Sequence, residues 1–276
     1  MTDLERSLET KNYPNVGQSF GILGILIAGL ILMSPLTLIL NKFIDKEATS
    51  LIYYFLSVGI PFWIVYLRRK RKTGISTFNF RIEKKRTIPI VIFSTITLYI
   101  GVAYPTGYLT TVLIPVPEIV KEAFATNSTN PNFFTFLSLV IVAPILEELL
   151  FRGIILDGQL RKYSPVKAIL ISSVIFTLFH LNPWQLAVIF LAVFMGWVYY
   201  KSQSVGLAII SHATNNLMGL LVLFKFSKSS KFATEITLVD LVDIYGGVPT
   251  FVLILVGSIS VFAIFTYYLH TEFKKK

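Results

Sequence analysis

The sequence contains no cysteine and few charged residues, and both shortages exclude whole classes of protein. Without cysteine the chain has no disulfide, no thiolate nucleophile and no cysteine-ligated metal. Only 14% of the 276 residues are charged, whereas 54% are hydrophobic, and the mean hydropathy is +0.69. This composition predicts an integral membrane protein that forms one helical bundle in lipid, rather than a pair of soluble domains.

Apolar runs long enough to cross a bilayer follow one another along the chain. We predict an all-α fold, a polytopic membrane helix bundle with about eight transmembrane helices, which forms a single integral-membrane domain over residues 1–276. The polar first 16 residues do not resemble a cleaved signal peptide. The predicted spans are residues 18–40, 50–67, 88–108, 133–156, 166–181, 184–200, 206–224 and 246–269.

The net charge of +10 has a topological explanation. If the N-terminus is cytoplasmic, the segments on that side hold 18 of the 25 Lys and Arg residues, and the outer loops hold 6. We therefore predict that both termini are cytoplasmic and that no nucleic acid is bound. The basic runs at residues 68–72 and 274–276 then anchor the topology beside anionic lipid. The outer loop, residues 110–132, is expected to be a connector, with a lid or docking surface as the alternative.

Three charged residues interrupt the fourth predicted span, where each charge costs roughly 2.5–3.5 kcal/mol at the bilayer centre. Glu147 and Glu148 are neighbours, so on a helix their side chains point about 100° apart and do not share one role. Glu148 and Arg152 are four residues apart on one face, which suits an ion pair. That pairing leaves Glu147 as the free carboxylate and the candidate general base.

The chain has only three histidines, two of which lie within predicted spans. His270 lies at the end of the last span and is expected to be interfacial. His180 closes the run Phe176-Thr-Leu-Phe-His180, as a hydrogen-bonded core residue or as part of a site. His212 and Asn216 share one helical face, so both can donate hydrogen bonds to one point, as an oxyanion site requires. The alternative for this pair is a polar contact between helices.

The fifth and sixth spans are short, about 22 Å against a core of roughly 30 Å. We therefore expect their turn, at residues 180–184, to stop below the outer surface beside an internal cavity near His180. Counting residues places Glu147 and His212 at one depth, but His180 about 10 Å nearer the outer side. Either the hairpin of the fifth and sixth spans lies deeper in the membrane, or the predicted boundary of the fifth span is wrong.

Together these residues supply a carboxylate base, a histidine and a pair of hydrogen-bond donors on three separate spans. Water attack on an amide bond requires such a set. The alternative functions are a non-catalytic immunity or scaffold protein, in which the polar groups hold helices together, and a proton-coupled transporter.

The same residues resemble a known family, the CAAX-protease and bacteriocin-processing family of intramembrane endopeptidases. The resemblance covers about residues 133–220, and no motif position is substituted. A further segment, residues 194–212, is similar to the one that leads into the third motif of the family. The three motifs here read Glu147-Glu148-x-x-x-Arg152, Phe176-x-x-x-His180 and His212-x-x-x-Asn216.

The resemblance implies an eight-helix intramembrane glutamic protease with its catalytic core at about residues 133–224. It implies that Glu147 and His180 activate the water. It implies that His212 and Asn216 stabilise the oxyanion, and that Glu148 and Arg152 shape the site. We expect a mechanism without a cofactor or metal. Zinc held by the histidines and glutamates is the alternative, since catalytic zinc takes three protein ligands and keeps one position open.

The expected partners are the lipid bilayer and a substrate that is a peptide or a membrane-associated protein. The eukaryotic branch of the family cleaves after a prenylated cysteine. The bacterial branch is associated with bacteriocin maturation, self-immunity and peptide signalling. The compact chain is more similar to the bacterial branch, so we expect it in a bacterial cell membrane.

Overall fold

The structure, a computed structural model, describes residues 13–114, 132–181, 186–226 and 238–274. These residues form helices joined by short connections, and no strand occurs among them. The helices are α1 (Val16–Leu40), α2 (Lys46–Thr73), α3 (Thr87–Leu113), α4 (Phe133–Leu160), α5 (Pro165–Phe179), α6 (Val188–Ser202), α7 (Val205–Phe226), α8 (Leu238–Ile244) and α9 (Val248–Lys274).

Six helices, α1 to α4, α7 and α9, are long and apolar enough to cross a membrane. Helices α5 and α6 are apolar but have only 15 residues each, as the sequence predicts. The predicted all-α polytopic bundle is therefore confirmed, and each predicted span corresponds to one of these eight helices. The turn between α5 and α6, residues 182–185, and most of the predicted outer loop, residues 115–131, lie outside the described residues.

Contacts between helix ends place both ends of the described chain on one side of the bundle. Tyr13, just before α1, lies under the guanidinium of Arg68 near the end of α2, with 5.8 Å from Cζ to the ring centroid. At the other end of the chain, Glu272 pairs with Arg86 at 2.5 Å, and its carbonyl accepts a hydrogen bond from Lys84 at 2.6 Å. The segment that follows α2 therefore meets the end of α9.

Helix α4 occupies the middle of the bundle. It contacts α2, α5, α6 and α7, and residues 150–156 are all buried. A segment that is buried on every face lies in the interior, where neighbouring helices replace lipid. Glu147, Glu148 and Arg152 are buried and face protein.

The middle of α4 differs in winding from a regular α-helix. Leu137–Val142 and Phe151–Leu156 are π-helical and flank the α-helical turn Ala143–Leu150, which carries Glu147 and Glu148. A π turn widens the helix locally and bonds each N–H five residues back, and such turns are frequent at functional sites. Both glutamates therefore project from an α-helical turn that has a wider π-helical turn on each side.

Helices α1 and α2 approach each other closely at Gly29. A Cβ atom at this position would lie 2.4 Å from the carbonyl oxygen of Ser57 and 2.6 Å from Cγ of Pro61. Because Pro61 has no N–H, the carbonyl of Ser57 lacks its usual helical donor and is left facing α1. Only glycine leaves room for this carbonyl.

Replacing Gly29 with alanine is expected to destabilise the protein by about 1–3 kcal/mol, because the added methyl group overpacks the contact between α1 and α2. Gly24→Ala is the matched control, since Gly24 lies on the same helix and a Cβ atom there would have nothing within 4 Å. The measurement is the thermal unfolding midpoint of each variant in detergent. Equal midpoints for the two variants would show that the Gly29 contact does not set the spacing of the helices.

Candidate active site

Glu148 is the centre of a buried polar cluster. Its Oε1 atom lies 2.7 Å from Nη1 of Arg152 and 2.8 Å from Nδ1 of His212, and Glu148 is 0% exposed. The guanidinium is always charged, so its carboxylate partner is ionised and only accepts hydrogen bonds. Nδ1 of His212 therefore carries a hydrogen and donates it to Glu148. The ion pair that the sequence spacing predicts is present.

Arg152 is buried as deeply as its partner, with 1% of its surface exposed. Its Nη2 atom donates to the carbonyl of Ala192 on α6 at 3.0 Å. Its Cζ atom lies 4.5 Å from the ring centroid of Phe176 on α5, a cation–π contact. The carboxylate, the carbonyl and the ring replace much of the water that a buried charge loses, while Nε has no hydrogen-bond partner among the described residues.

Glu147 faces different partners from Glu148, as expected for adjacent residues on a helix. The hydroxyl of Tyr54, on α2, donates a hydrogen bond to Oε1 of Glu147. The other oxygen, Oε2, is buried and has no hydrogen-bond partner among the described residues. It lies 4.0 Å from Nε2 of His212, which is too long for a direct hydrogen bond. Oε2 of Glu148 is likewise without a partner among the described residues, so the two carboxylates differ in their Oε1 partners: a neutral hydroxyl for Glu147, but Arg152 and His212 for Glu148.

Tyr54 is the site residue that the sequence analysis missed. It stands next to another tyrosine in an apolar span, and no spacing relates it to the three motifs. The neighbouring Tyr53 makes a different contact, because its hydroxyl donates to the carbonyl of Leu30 on α1 at 2.9 Å. Which of two adjacent tyrosines reaches Glu147 depends on the rotation of α2, which the sequence does not reveal.

His180 lies directly after α5 and reaches the cluster through an aromatic ring. Its ring centroid is 4.9 Å from that of Phe176, which in turn is 5.6 Å from that of His212. Because a carbonyl only accepts, Nδ1 of His180 donates to the carbonyl of Phe176 at 2.9 Å. In the neutral ring Nε2 is then an acceptor. Since Phe176 also contacts Arg152, α5 ends close to the buried cluster.

Asn216, one turn after His212 on α7, is oriented by two hydrogen bonds. Its Nδ2 donates to the carbonyl of Leu139 on α4 at 2.8 Å, and its Oδ1 accepts from Nδ2 of Asn215 at 3.2 Å. An amide nitrogen carries two hydrogens, so one N–H of Asn216 is left for another acceptor.

The carbonyl of Leu139 is available to Asn216 because of the π turn and the proline in α4. The N–H of Ala143 bonds to the carbonyl of Ser138, five residues back. In the same register the next N–H would bond to Leu139, but the next residue is Pro144, which has no N–H. The carbonyl of Leu139 is thereby left for the side chain of Asn216.

Two of the side chains that the zinc alternative would use are engaged with each other. Within the residues that the structure describes, no group of three or more His, Asp or Glu side chains is placed to hold a metal ion. Glu148 and His212 are bonded to each other, and the permanent charge of Arg152 beside them opposes a cation. The third histidine, His270, stacks on Trp197 with 6.5 Å between ring centroids, near the end of α9.

Comparison with known proteins agrees with the motifs. Residues 129–218, which contain all the motif positions, match the family described as type II CAAX prenyl endopeptidase Rce1-like. The UPF0177 protein YaiH of Lactococcus lactis subsp. lactis (strain IL1403) is 28% identical over 178 residues, which cover 63% of this chain and 73% of YaiH. The UPF0177 protein YbdI of the same strain is 28% identical over 185 residues, which cover 63% of this chain and 97% of YbdI. No solved structure matches the chain. The family resemblance stated from the motifs is confirmed.

Replacing Arg152 with methionine is expected to destabilise the protein by about 3–5 kcal/mol, because Glu148 would remain buried without its counter-charge. Arg161→Met is the matched control, since Arg161 pairs with Asp157 at the same four-residue spacing but is 41% exposed. Such an exposed pair contributes about 0–1 kcal/mol. Thermal unfolding of both variants in detergent measures the difference, and similar midpoints would contradict a dominant role for the buried pair.

Proposed function

Because residues 129–218 match the Rce1-like family of type II CAAX prenyl endopeptidases, we propose that the chain is an intramembrane endopeptidase that cleaves a peptide or membrane-associated protein. The observation that carries the proposal is the state of Glu147. Its Oε2 atom is buried without a hydrogen-bond partner among the described residues, and none of their arginines or lysines pairs with Glu147. Oε2 of Glu148 is also without a partner there, but Glu148 forms an ion pair with Arg152 through Oε1. A buried oxygen with open lone pairs is suited to take a proton from water.

In the proposed reaction Glu147 is the general base. A water molecule gives one hydrogen to Oε2 of Glu147 while its oxygen adds to the carbonyl carbon of the scissile bond. The second hydrogen of this water is directed to Nε2 of His180, which is an acceptor because Nδ1 donates to Phe176. Two acceptors fix the orientation of the water, and the chain supplies both.

His212 and Asn216 then stabilise the oxyanion. Asn216 has one N–H left over after bonding to Leu139. Nδ1 of His212 already donates to Glu148, so Nε2 donates as well only when the ring is an imidazolium. Glu147, with Oε2 4.0 Å from Nε2, supplies the counter-charge before the reaction. As Glu147 takes up the proton, the oxyanion replaces it as the negative partner, so the buried charges stay balanced.

The tetrahedral intermediate breaks at the carbon–nitrogen bond. The carbonyl double bond re-forms, the proton held by Glu147 passes to the departing amine nitrogen, and Glu147 returns to the carboxylate form. Water is the only co-reactant, and the products are a carboxylic acid and an amine.

We also propose a bacterial cell membrane as the location, with both termini in the cytoplasm. Both ends of the described chain lie on one side of the bundle, where Glu272 meets Lys84 and Arg86. Placing that side in the cytoplasm assigns 18 of the 25 Lys and Arg residues to it. The Lactococcus lactis relatives support a bacterial setting.

Glu147→Gln is expected to abolish cleavage, because an amide oxygen does not take up a proton from water, although it keeps the size and the hydrogen bond to Tyr54. The measurement compares peptide termini in membranes and medium from cells that express wild type or variant at equal levels. Glu83→Gln, on an exposed segment between α2 and α3, is the control and should keep full activity.

A terminus that disappears only in Glu147→Gln identifies the substrate along with the activity. Identical sets of termini in all three strains would overturn the protease proposal. If the cellular phenotype then survives the change, an immunity or scaffold role follows. Flux that depends on a pH gradient, without a cleaved product, would instead indicate a transporter.

Asn216→Ala is expected to lower kcat by about 10²–10³-fold with little change in KM, because an oxyanion donor acts mainly in the transition state. The assay uses purified protein in vesicles and the substrate found above. Asn215→Ala removes the weaker of the two hydrogen bonds that orient Asn216 and leaves the bond to Leu139 in place, so it should cost much less. Equal losses in kcat would contradict a separate role for Asn216.

A further inference from the structure

One contact of the site comes from outside the region that matches the family. Tyr54 lies on α2, whereas the match begins at residue 129, and its hydroxyl donates to Oε1 of Glu147. We propose that Tyr54 is a positioning residue, which turns the Glu147 carboxylate so that Oε2 is the oxygen that faces His212 and the reacting water. This inference rests on the proposed function, in which Glu147 is the base.

Glu147 depends on Tyr54 for its orientation because it has few other restraints. The last torsion of a glutamate side chain has a broad energy profile, so a carboxylate is fixed by its hydrogen bonds rather than by a rotamer. Glu148 has Arg152 and His212 as donors. For Glu147 the described residues provide a single hydrogen bond, the one from Tyr54.

The tyrosine itself is held in place by the packing of α2. Tyr53, the preceding residue, donates to the carbonyl of Leu30 on α1, so its face of α2 is turned toward α1. Adjacent helical residues point about 100° apart, so Tyr54 is directed toward α4 when Tyr53 is directed toward α1. The close approach of Gly29 to Ser57, one turn further along α2, fixes the spacing of the same two helices.

The hydrogen bond is compatible with each proton state of the base. In the carboxylate, Oε1 accepts from Tyr54 and Oε2 is open. When Oε2 takes the proton from water, Oε1 becomes the carbonyl oxygen of the acid and still accepts. Tyr54 therefore occupies Oε1 throughout and directs proton uptake to Oε2, without itself gaining or losing a proton.

The test compares Tyr54→Phe with Tyr53→Phe. Each change removes one hydroxyl and one hydrogen bond from adjacent positions of α2, but only the first affects Glu147. For Tyr54→Phe we expect kcat to fall by about 10- to 100-fold, typical of losing a hydrogen bond to a charged group, with KM unchanged within about 2-fold. Tyr53→Phe should keep the wild-type kcat. Kinetics in vesicles and thermal midpoints in detergent are measured for both variants.

Two outcomes overturn the inference. One is a wild-type kcat for Tyr54→Phe. The other is a thermal midpoint of Tyr54→Phe well below that of Tyr53→Phe, with turnover lost in proportion, which would make the contact purely structural. Glu147→Gln in the same assay separates the two proposals. If that variant still cleaves substrate, the proposed function fails, whereas if it is inactive and Tyr54→Phe is not impaired, only the positioning role fails.

Discussion

A single oxygen atom, Oε1 of Glu148, connects the helices of the site. Its two donors belong to α4 itself and to α7, and the first donor, Arg152, also bonds to α6 and stacks on a ring of α5. Each of these groups would carry a large desolvation cost if it were moved away from its partner. The ion pair therefore permits few arrangements of the surrounding helices, and the positions of His180 and Asn216 depend on that arrangement.

The two adjacent glutamates have the same side chain but different hydrogen-bond partners. Oε1 of Glu148 is bound to a permanent cation and a histidine, so the orientation of this carboxylate is fixed. Glu147 has one neutral donor and an open oxygen, and this is why we propose it as the base. The helical offset between neighbouring residues produces this division, since it points one side chain at α7 and the other at α2.

The sequence predicts the parts of this structure that depend on local pattern. Span positions follow from apolar runs, and the contact between Glu148 and Arg152 follows from a four-residue spacing. Contacts between distant segments leave no such pattern. The bond from Tyr54 crosses 93 residues, and the bond from Asn216 to Leu139 crosses 77, so neither is visible as a periodicity. The resemblance to the family names Asn216 but not the carbonyl that orients it.

Two prolines inside helices account for much of what local pattern does not show. In lipid, a carbonyl that loses its helical donor must find another partner or be enclosed by protein. Pro61 leaves the carbonyl of Ser57 facing Gly29, and this sets how closely α1 approaches the helix that carries Tyr54. Pro144 leaves the carbonyl of Leu139 to the side chain of Asn216. In both cases a proline lacks a backbone N–H and leaves a carbonyl to contact a neighbouring helix. In the proposed mechanism, the first proline supports the helix that orients the base, and the second leaves the carbonyl that orients the amide facing the oxyanion.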